Sequence, residues 1–289
     1  VGAETTWNRG PGKLQNCGEI PPPEQRLGTN SADGLSDCGP VQWHEMRLPI
    51  KPFPTMTFLL FWHPVIMNRT RTAEVIPAPG SPVSRVVAPE ILDGLPASDA
   101  RASRSRRDLR RLNQLMRNPR ILASALSGNG GTPAVSSIAE LGAGDDWVLS
   151  QALSLLPHTT GRVTFVDRQG QPAPETTRVL ENCGWNPGFF RADVFDWLQT
   201  ADSHDAIVCN LFLHHFEGPD LVRLLKLAAG KCRLFIALEP RRSRPALFFS
   251  RFVGLLGCSA VTRHDAVVSV RAGFCGAELC ALWPEPESW

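Results

Sequence analysis

The chain has 289 residues, 43% hydrophobic and 20% charged, so at least part of it can build a sizeable core. A formal net charge of +2 excludes a globally basic nucleic-acid binder, and the lack of tyrosine excludes any mechanism with a Tyr acid or base. Eight cysteines without a Cys-x-x-Cys pair read as free thiols of a reducing, cytoplasmic setting, so no metal centre or disulfide framework is expected.

No apolar run approaches the ~20 residues of a membrane span, and Thr57–Met67 is broken by His63-Pro64. The residues before that run lack the pattern of a signal peptide. Across 1–85, prolines such as Pro21–Pro23, Pro49, Pro52, Pro54, Pro77, Pro79 and Pro82 interrupt every period. This stretch reads as a disordered arm, dispensable to the fold, with a Pro-rich binding arm as the functional alternative. Val83, Val86 and Val87 lie at the break and are candidate start codons, with the folded domain expected over 86–289.

Pro89–Pro96 reads as a short docking segment, and Ser98-Asp99 can cap a helix over Ala100–Leu115. Leu109, Leu112, Leu115 and Met116 form its apolar stripe, and the arginines from Arg101 to Arg120 its solvated face. A second helix follows at Ile121–Leu126, so that 98–127 is a helical preface. Ser137–Glu140 then reads as a strand, Gly142-x-Gly144 as a tight turn and Trp147–Leu156 as a helix. Strands at Arg162–Asp167, Gly188–Asp193, Asp205–Asn210 and Arg233–Glu239 alternate with helices at Glu175–Cys183, Asp196–Gln199 and Asp220–Ala229. Pro245–Leu256 and Asp265–Ala272 are helix-like. Strict alternation predicts an α/β fold, a parallel sheet covered on both faces. Its C-terminal strand ends carry Glu140, Asp167, Asp193 and Asn210, which should line one crevice beside the glycine turn.

Over residues 89–283 the chain resembles the class I S-adenosylmethionine-dependent methyltransferases. The resemblance rests on Glu-Leu-Gly-Ala-Gly-Asp (140–145), Val-Thr-Phe-Val-Asp (163–167), Ala-Asp-Val-Phe-Asp (192–196) and Asp-Ala-Ile-Val-Cys-Asn-Leu-Phe-Leu-His-His-Phe (205–216). It implies a doubly wound Rossmann-like sheet ordered 3-2-1-4-5 and S-adenosylmethionine as cofactor. It implies that Gly142 and Gly144 admit the methionine part of the cofactor and that Glu140 holds its amino group. Asp167, with Arg168 beside it, would take both ribose hydroxyls, Asp193 and Val194 the adenine edge, and Asn210 and Leu211 would lie under the sulfonium. The family usually has a third glycine where Asp146 stands, so Asp146 is expected to crowd the cofactor.

The acceptor is expected to be a small molecule with a hydroxyl, phenolic or lipid-like group. DNA is not expected as a partner and RNA is disfavoured; the alternative is a non-catalytic cofactor-binding or interaction domain, with an RNA methyltransferase using the arginine helix behind it. A nicotinamide enzyme is disfavoured because Trp147 stands where a dinucleotide fingerprint needs glycine, and because pyrophosphate suits neither Glu140 nor Asp145-Asp146. His214 or His215 is the candidate base. Arg241, Arg242, Arg263 and His264 are candidates for holding an acidic substrate. Too few residues remain after Phe274 for the family's C-terminal edge hairpin, so it should be missing or reduced. That leaves an exposed apolar edge on the strand at Arg233–Leu238, as in a piece of a longer product.

Overall fold

The computed structural model describes residues 62–68, 83–127, 135–156, 159–170 and 173–285, all within one compact unit. The strands are β1 (Trp62–Asn68), β2 (Ser137–Leu141), β3 (Gly161–Asp167), β4 (Trp185–Arg191), β5 (His204–Asn210) and β6 (Cys232–Pro240). They form one sheet in the order β4-β3-β2-β5-β6-β1, with β2 to β6 parallel and β1 antiparallel. Counting only the parallel strands, this is the expected order 3-2-1-4-5.

β5 and β6 are apolar and buried on both faces because helices cover both sides of the sheet. On one side lie α2 (Asn118–Ser127), α3 (Trp147–Ser154) and α4 (Pro174–Asn182), whose Leu122, Leu149, Leu153 and Leu180 meet Ile138, Val163 and Ile236. On the other, Leu198 of α5 (Val194–Thr200) and Leu221, Leu224 and Leu225 of α6 (Gly218–Ala229) pack on Ile207 and Phe235. Among the described residues, α7 (Arg244–Ser250), α8 (Ala260–Ala272) and α9 (Glu278–Ala281) follow β6, and α1 (Ala100–Leu115) precedes α2.

Two expectations are revised. The edge of β6 is not bare, because β1 pairs along it from Trp62↔Pro240 to Asn68↔Leu234. Val65 and Met67 of β1 are 5% and 2% exposed and belong to the core, so this part of the N-terminal stretch is ordered structure. Pro64 is tolerated because an edge strand has a partner on one side only. The rest of 1–82 lies outside the described residues. Among the described residues the C-terminal edge hairpin is indeed missing, and Phe274 makes only a single bridge to Arg241.

The folded part also reaches back before Val86. Arg85 Nε donates to Ala272 O at 2.7 Å, its Nη2 donates to Phe216 O at 2.8 Å, and the guanidinium lies 4.6 Å from the centre of the Phe274 ring. The stripe predicted for α1 is redistributed. Leu115 is exposed, whereas Asp108 is buried, accepting from Ser259 N at 2.7 Å and Thr262 Oγ1 at 3.1 Å on the α8 side. The six cysteines among the described residues form no disulfide. Among the described residues, no helix is long and apolar enough to cross a membrane.

Candidate functional site

A cavity of about 610 Å³ opens at the C-terminal ends of β2, β3 and β5, beneath α1, α8 and the segment before α1. Its lining includes Glu140, Gly142, Gly144, Asp167, Arg168, Asp193, Val194, Asn210 and Leu211. All nine residues expected around a cofactor therefore border one space, as the strand order requires.

The glycine turn is built by backbone constraint. Gly142 and Gly144 have φ of +66° and +58°, the left-handed region that costs other residues energy. A Cβ on Gly142 would stand 2.0 Å from the Phe212 ring, so its missing side chain admits Phe212 from the turn after β5. At Gly144 the same position is open space.

Glu140 is 2% exposed, and its Oε2 has no hydrogen-bond partner among the described residues. Burial first, and then Asp146, Asp145 and Asp167, push its pKa well above the usual carboxylate range. Asn210 Oδ1, on the adjoining strand β5, is likewise buried without a partner. Buried polar atoms of this kind are rare without a reason. Asp167, by contrast, is already engaged: Oδ2 accepts from Gly144 N at 2.9 Å, and Oδ1 accepts from Gln169 N at 2.7 Å and from Gly170 N. A carboxylate has roughly four acceptor sites, so one remains rather than the pair expected for two ribose hydroxyls. Asp193 caps α5, accepting from Phe195 N at 2.8 Å.

Asp146 does not crowd this cavity. It sits at φ +57° on the far side of the turn, facing Ala173 of the α4 end. Burial raises its pKa to about 7. Asp145 is turned towards α1, where Arg110 Nε meets its Oδ2 at 2.6 Å. That ion pair fastens α1 over the glycine turn, a task the sequence reading did not assign to Arg110.

The two histidines differ. His214 is buried, with Nδ1 2.8 Å from Glu239 Oε2 and Nε2 3.2 Å from Glu90 Oε1. Burial alone would depress its pKa, but the bonds to Glu239 and Glu90 outweigh that and raise it to about 9. A ring that holds its proton at neutral pH, with both nitrogens occupied, is a poor general base. His215 is a quarter exposed, borders the cavity and places Nδ1 3.2 Å from Asp93 Oδ2.

Glu239, fully buried at the end of β6, is the organiser that sequence reading passed over. Beyond His214, its Oε1 accepts from Phe212 N at 3.0 Å and Leu213 N at 2.8 Å, fixing the turn that carries both histidines. It had been visible only as one more acid at a strand end. Glu90 and Asp93 gave no signal, because their partners are far away in sequence.

None of the four residues expected to hold an acidic substrate borders the cavity. Arg242 is buried against Glu278, at 2.9 Å from Nη1 to Oε2, and against the Gly273 carbonyl at 2.6 Å, so it is a structural cation. Arg241 forms the bridge to Phe274, Arg263 packs against Gly254, and His264 Nδ1 lies 2.9 Å from Asp265 Oδ1. The cavity is lined instead by Glu90, Asp93, His214, His215, Asp265 and Ser269 as further polar groups.

No family model matches the chain, and no curated protein matches it. Among solved structures it is similar to the plantazolicin methyltransferase BpumL in complex with SAH. There the identity is 16%, the coverage 64% of this chain and 69% of that one, and the TM-score 0.47. An O-methyltransferase family protein from Burkholderia thailandensis matches at 20% identity, covering 62% and 51%, with a TM-score of 0.39. The magnesium protoporphyrin IX methyltransferase ChlM from Synechocystis PCC 6803, with bound SAM, matches at 14% identity, covering 49% and 63%, with a TM-score of 0.33.

Proposed function

We propose that the chain is an S-adenosylmethionine-dependent methyltransferase acting on a small-molecule acceptor, with an oxygen of a hydroxyl or phenol as the methylated atom. The observation that carries this reading is the buried Glu140 with an unpartnered oxygen, beside Asn210 and the glycine turn, in a cavity also lined by Asp167 and Asp193. Carboxylates at strand ends suit a ligand with an ammonium, a sulfonium and hydroxyls. They repel pyrophosphate, which argues against a dinucleotide.

Glu140 is placed to receive the cofactor's ammonium, whose approach favours ionisation of the buried carboxyl. Asp167 offers its remaining acceptor site to a ribose hydroxyl. Asp193 and Val194 would face the adenine. Phe212 and Leu211 line the same cavity and would separate the cofactor from the acceptor. Methyl transfer is an in-line displacement: the acceptor oxygen bonds to the methyl carbon, the carbon–sulfur bond breaks, and its electron pair stays on sulfur. Positioning supplies most of the acceleration. His215, which borders the cavity and is partly exposed, rather than His214 would take part in deprotonating the acceptor.

Calorimetry of the whole chain with S-adenosylmethionine and S-adenosylhomocysteine tests the reading, followed by an acceptor screen with methyl-labelled cofactor. Binding of both ligands, weakened in Glu140→Gln, is expected. Absence of binding to either would reject it. Binding without label transfer to any acceptor would favour a non-catalytic cofactor-binding domain.

A further inference from the structure

Glu90, His214 and His215 come from two separate stretches of chain, yet one ligand atom of each lies within 4.8 Å of those of the other two. Glu90 Oε1 stands 3.2 Å from His214 Nε2. Two ligands in one coordination shell with bonds of ~2.0–2.2 Å lie about 3–3.5 Å apart, so this pair needs little rearrangement.

The surroundings fit a metal centre more closely than an ordinary ion pair does. Each imidazole has a carboxylate beside Nδ1: Glu239 Oε2, hydrogen-bonded at 2.8 Å, for His214, and Asp93 Oδ2, at 3.2 Å, for His215. Histidine ligands are commonly oriented this way, and the contact sets which nitrogen faces the ion. Glu239 is itself fixed by the Phe212 and Leu213 amides, so the turn carrying both rings is held in place without an ion. Ser269 Oγ donates to Glu90 Oε1 and steadies the third ligand. Three carboxylates, those of Glu90, Asp93 and Glu239, contact the two rings and would be offset by a cation.

We propose that Glu90, His214 and His215 form a three-ligand site for a divalent first-row transition-metal ion of the zinc class, with a further coordination position open to the cavity. Two nitrogens and one oxygen suit zinc, iron(II) or manganese and disfavour soft, thiolate-seeking ions. The ion would take the place of the proton that otherwise joins His214 Nε2 to Glu90. If the methyl-transfer reading holds, an acceptor oxygen bound at the open position sheds its proton to solvent more easily, and His215 takes part as a ligand. Binding of the ion does not depend on that reading.

The test uses the full chain, stripped with a chelator and titrated with Zn²⁺ and Co²⁺, followed by calorimetry and visible spectroscopy. The expected result is one ion per chain and Co²⁺ ligand-field bands without a thiolate charge-transfer band. Glu90→Gln and His215→Ala should each weaken binding at least tenfold, with melting curves recorded alongside. Should Glu90→Gln fold poorly, His215→Ala decides, because that ring is partly exposed and its loss is tolerable. No binding by the parent, binding unchanged in the folded variants, or a thiolate band from the cysteines would overturn the site. S-adenosylmethionine affinity, measured separately, keeps a failure of this site distinct from a failure of the proposed activity.

Discussion

Two buried carboxylates stand at the same end of the same sheet and have opposite fates. Glu239, at the end of β6, accepts from the backbone of the following turn and from His214. Glu140, at the end of β2, keeps an oxygen with no partner among the described residues, and its pKa is driven far up. The half of the sheet made by β6 and β1 uses its polar groups to build structure. The strand ends of β2, β3 and β5 leave acceptor capacity at a cavity. Burial alone does not mark a functional acid; an unmet hydrogen-bonding requirement distinguishes the two.

Removing residues 1–82 would attack the structural half most severely. It strips β1 from β6 and deprives the core of Val65 and Met67, worth ~1.5–3 kcal/mol each. A lower urea midpoint and increased self-association are expected, and unchanged melting would show that β1 contributes nothing. Glu239→Ala should follow, destabilising by ~3–5 kcal/mol because it leaves His214 charged and backbone donors buried without a partner. Glu140→Gln should not destabilise comparably in the same urea titration; if it does, the contrast between the two acids fails.

In the ligand half, Asp167→Ala is expected to weaken S-adenosylmethionine binding by ~1.5–3 kcal/mol, the worth of a charge-assisted hydrogen bond, or roughly tenfold to a hundredfold by calorimetry. It should also lower Tm, since the carboxylate ties down Gly144, Gln169 and Gly170.

The smallest effect concerns Asp146. Its folded pKa of about 7 lies above the ordinary 3.8, so the folded chain holds a proton that the unfolded chain releases. Stability then falls as pH rises from about 4 to about 7 and stays low above that window. Asp146→Asn should gain on the order of 1 kcal/mol at pH 8 and almost nothing near pH 4. Equal gains at both pH values would point to relief of the left-handed backbone instead.

Sequence periodicity revealed the parallel strands because each is a local pattern: β5 and β6 are apolar throughout, and Gly142-x-Gly144 announces a turn. The boundaries were less legible. The third parallel strand runs over Trp185–Arg191 rather than 188–193, and the helix expected from Asp265 begins at Ala260, capped by Ser259. β1 was hidden because Pro64 argues against a strand unless one knows it lies at an edge. The Glu90–His214–Glu239 chain was hidden for another reason. Its links span 124 and 25 residues, and no spacing rule connects groups that only the tertiary fold brings together. Arg242 misled in the opposite sense: an arginine after the fifth strand suggested a substrate clamp, yet Glu278 and two backbone carbonyls claim it.

The pairing of β1 with β6 has a consequence for synthesis. The two strands lie roughly 170 residues apart in the chain, so β1 cannot find its place until β6 has emerged. At ~5–20 residues per second, β1 waits about 10–35 s on the ribosome with Val65, Ile66 and Met67 unsheltered. Closing so long a loop comes late in folding. Chaperone occupancy during translation should therefore concentrate on nascent chains that display β1 without β6, and fall once residue 240 has cleared the exit tunnel.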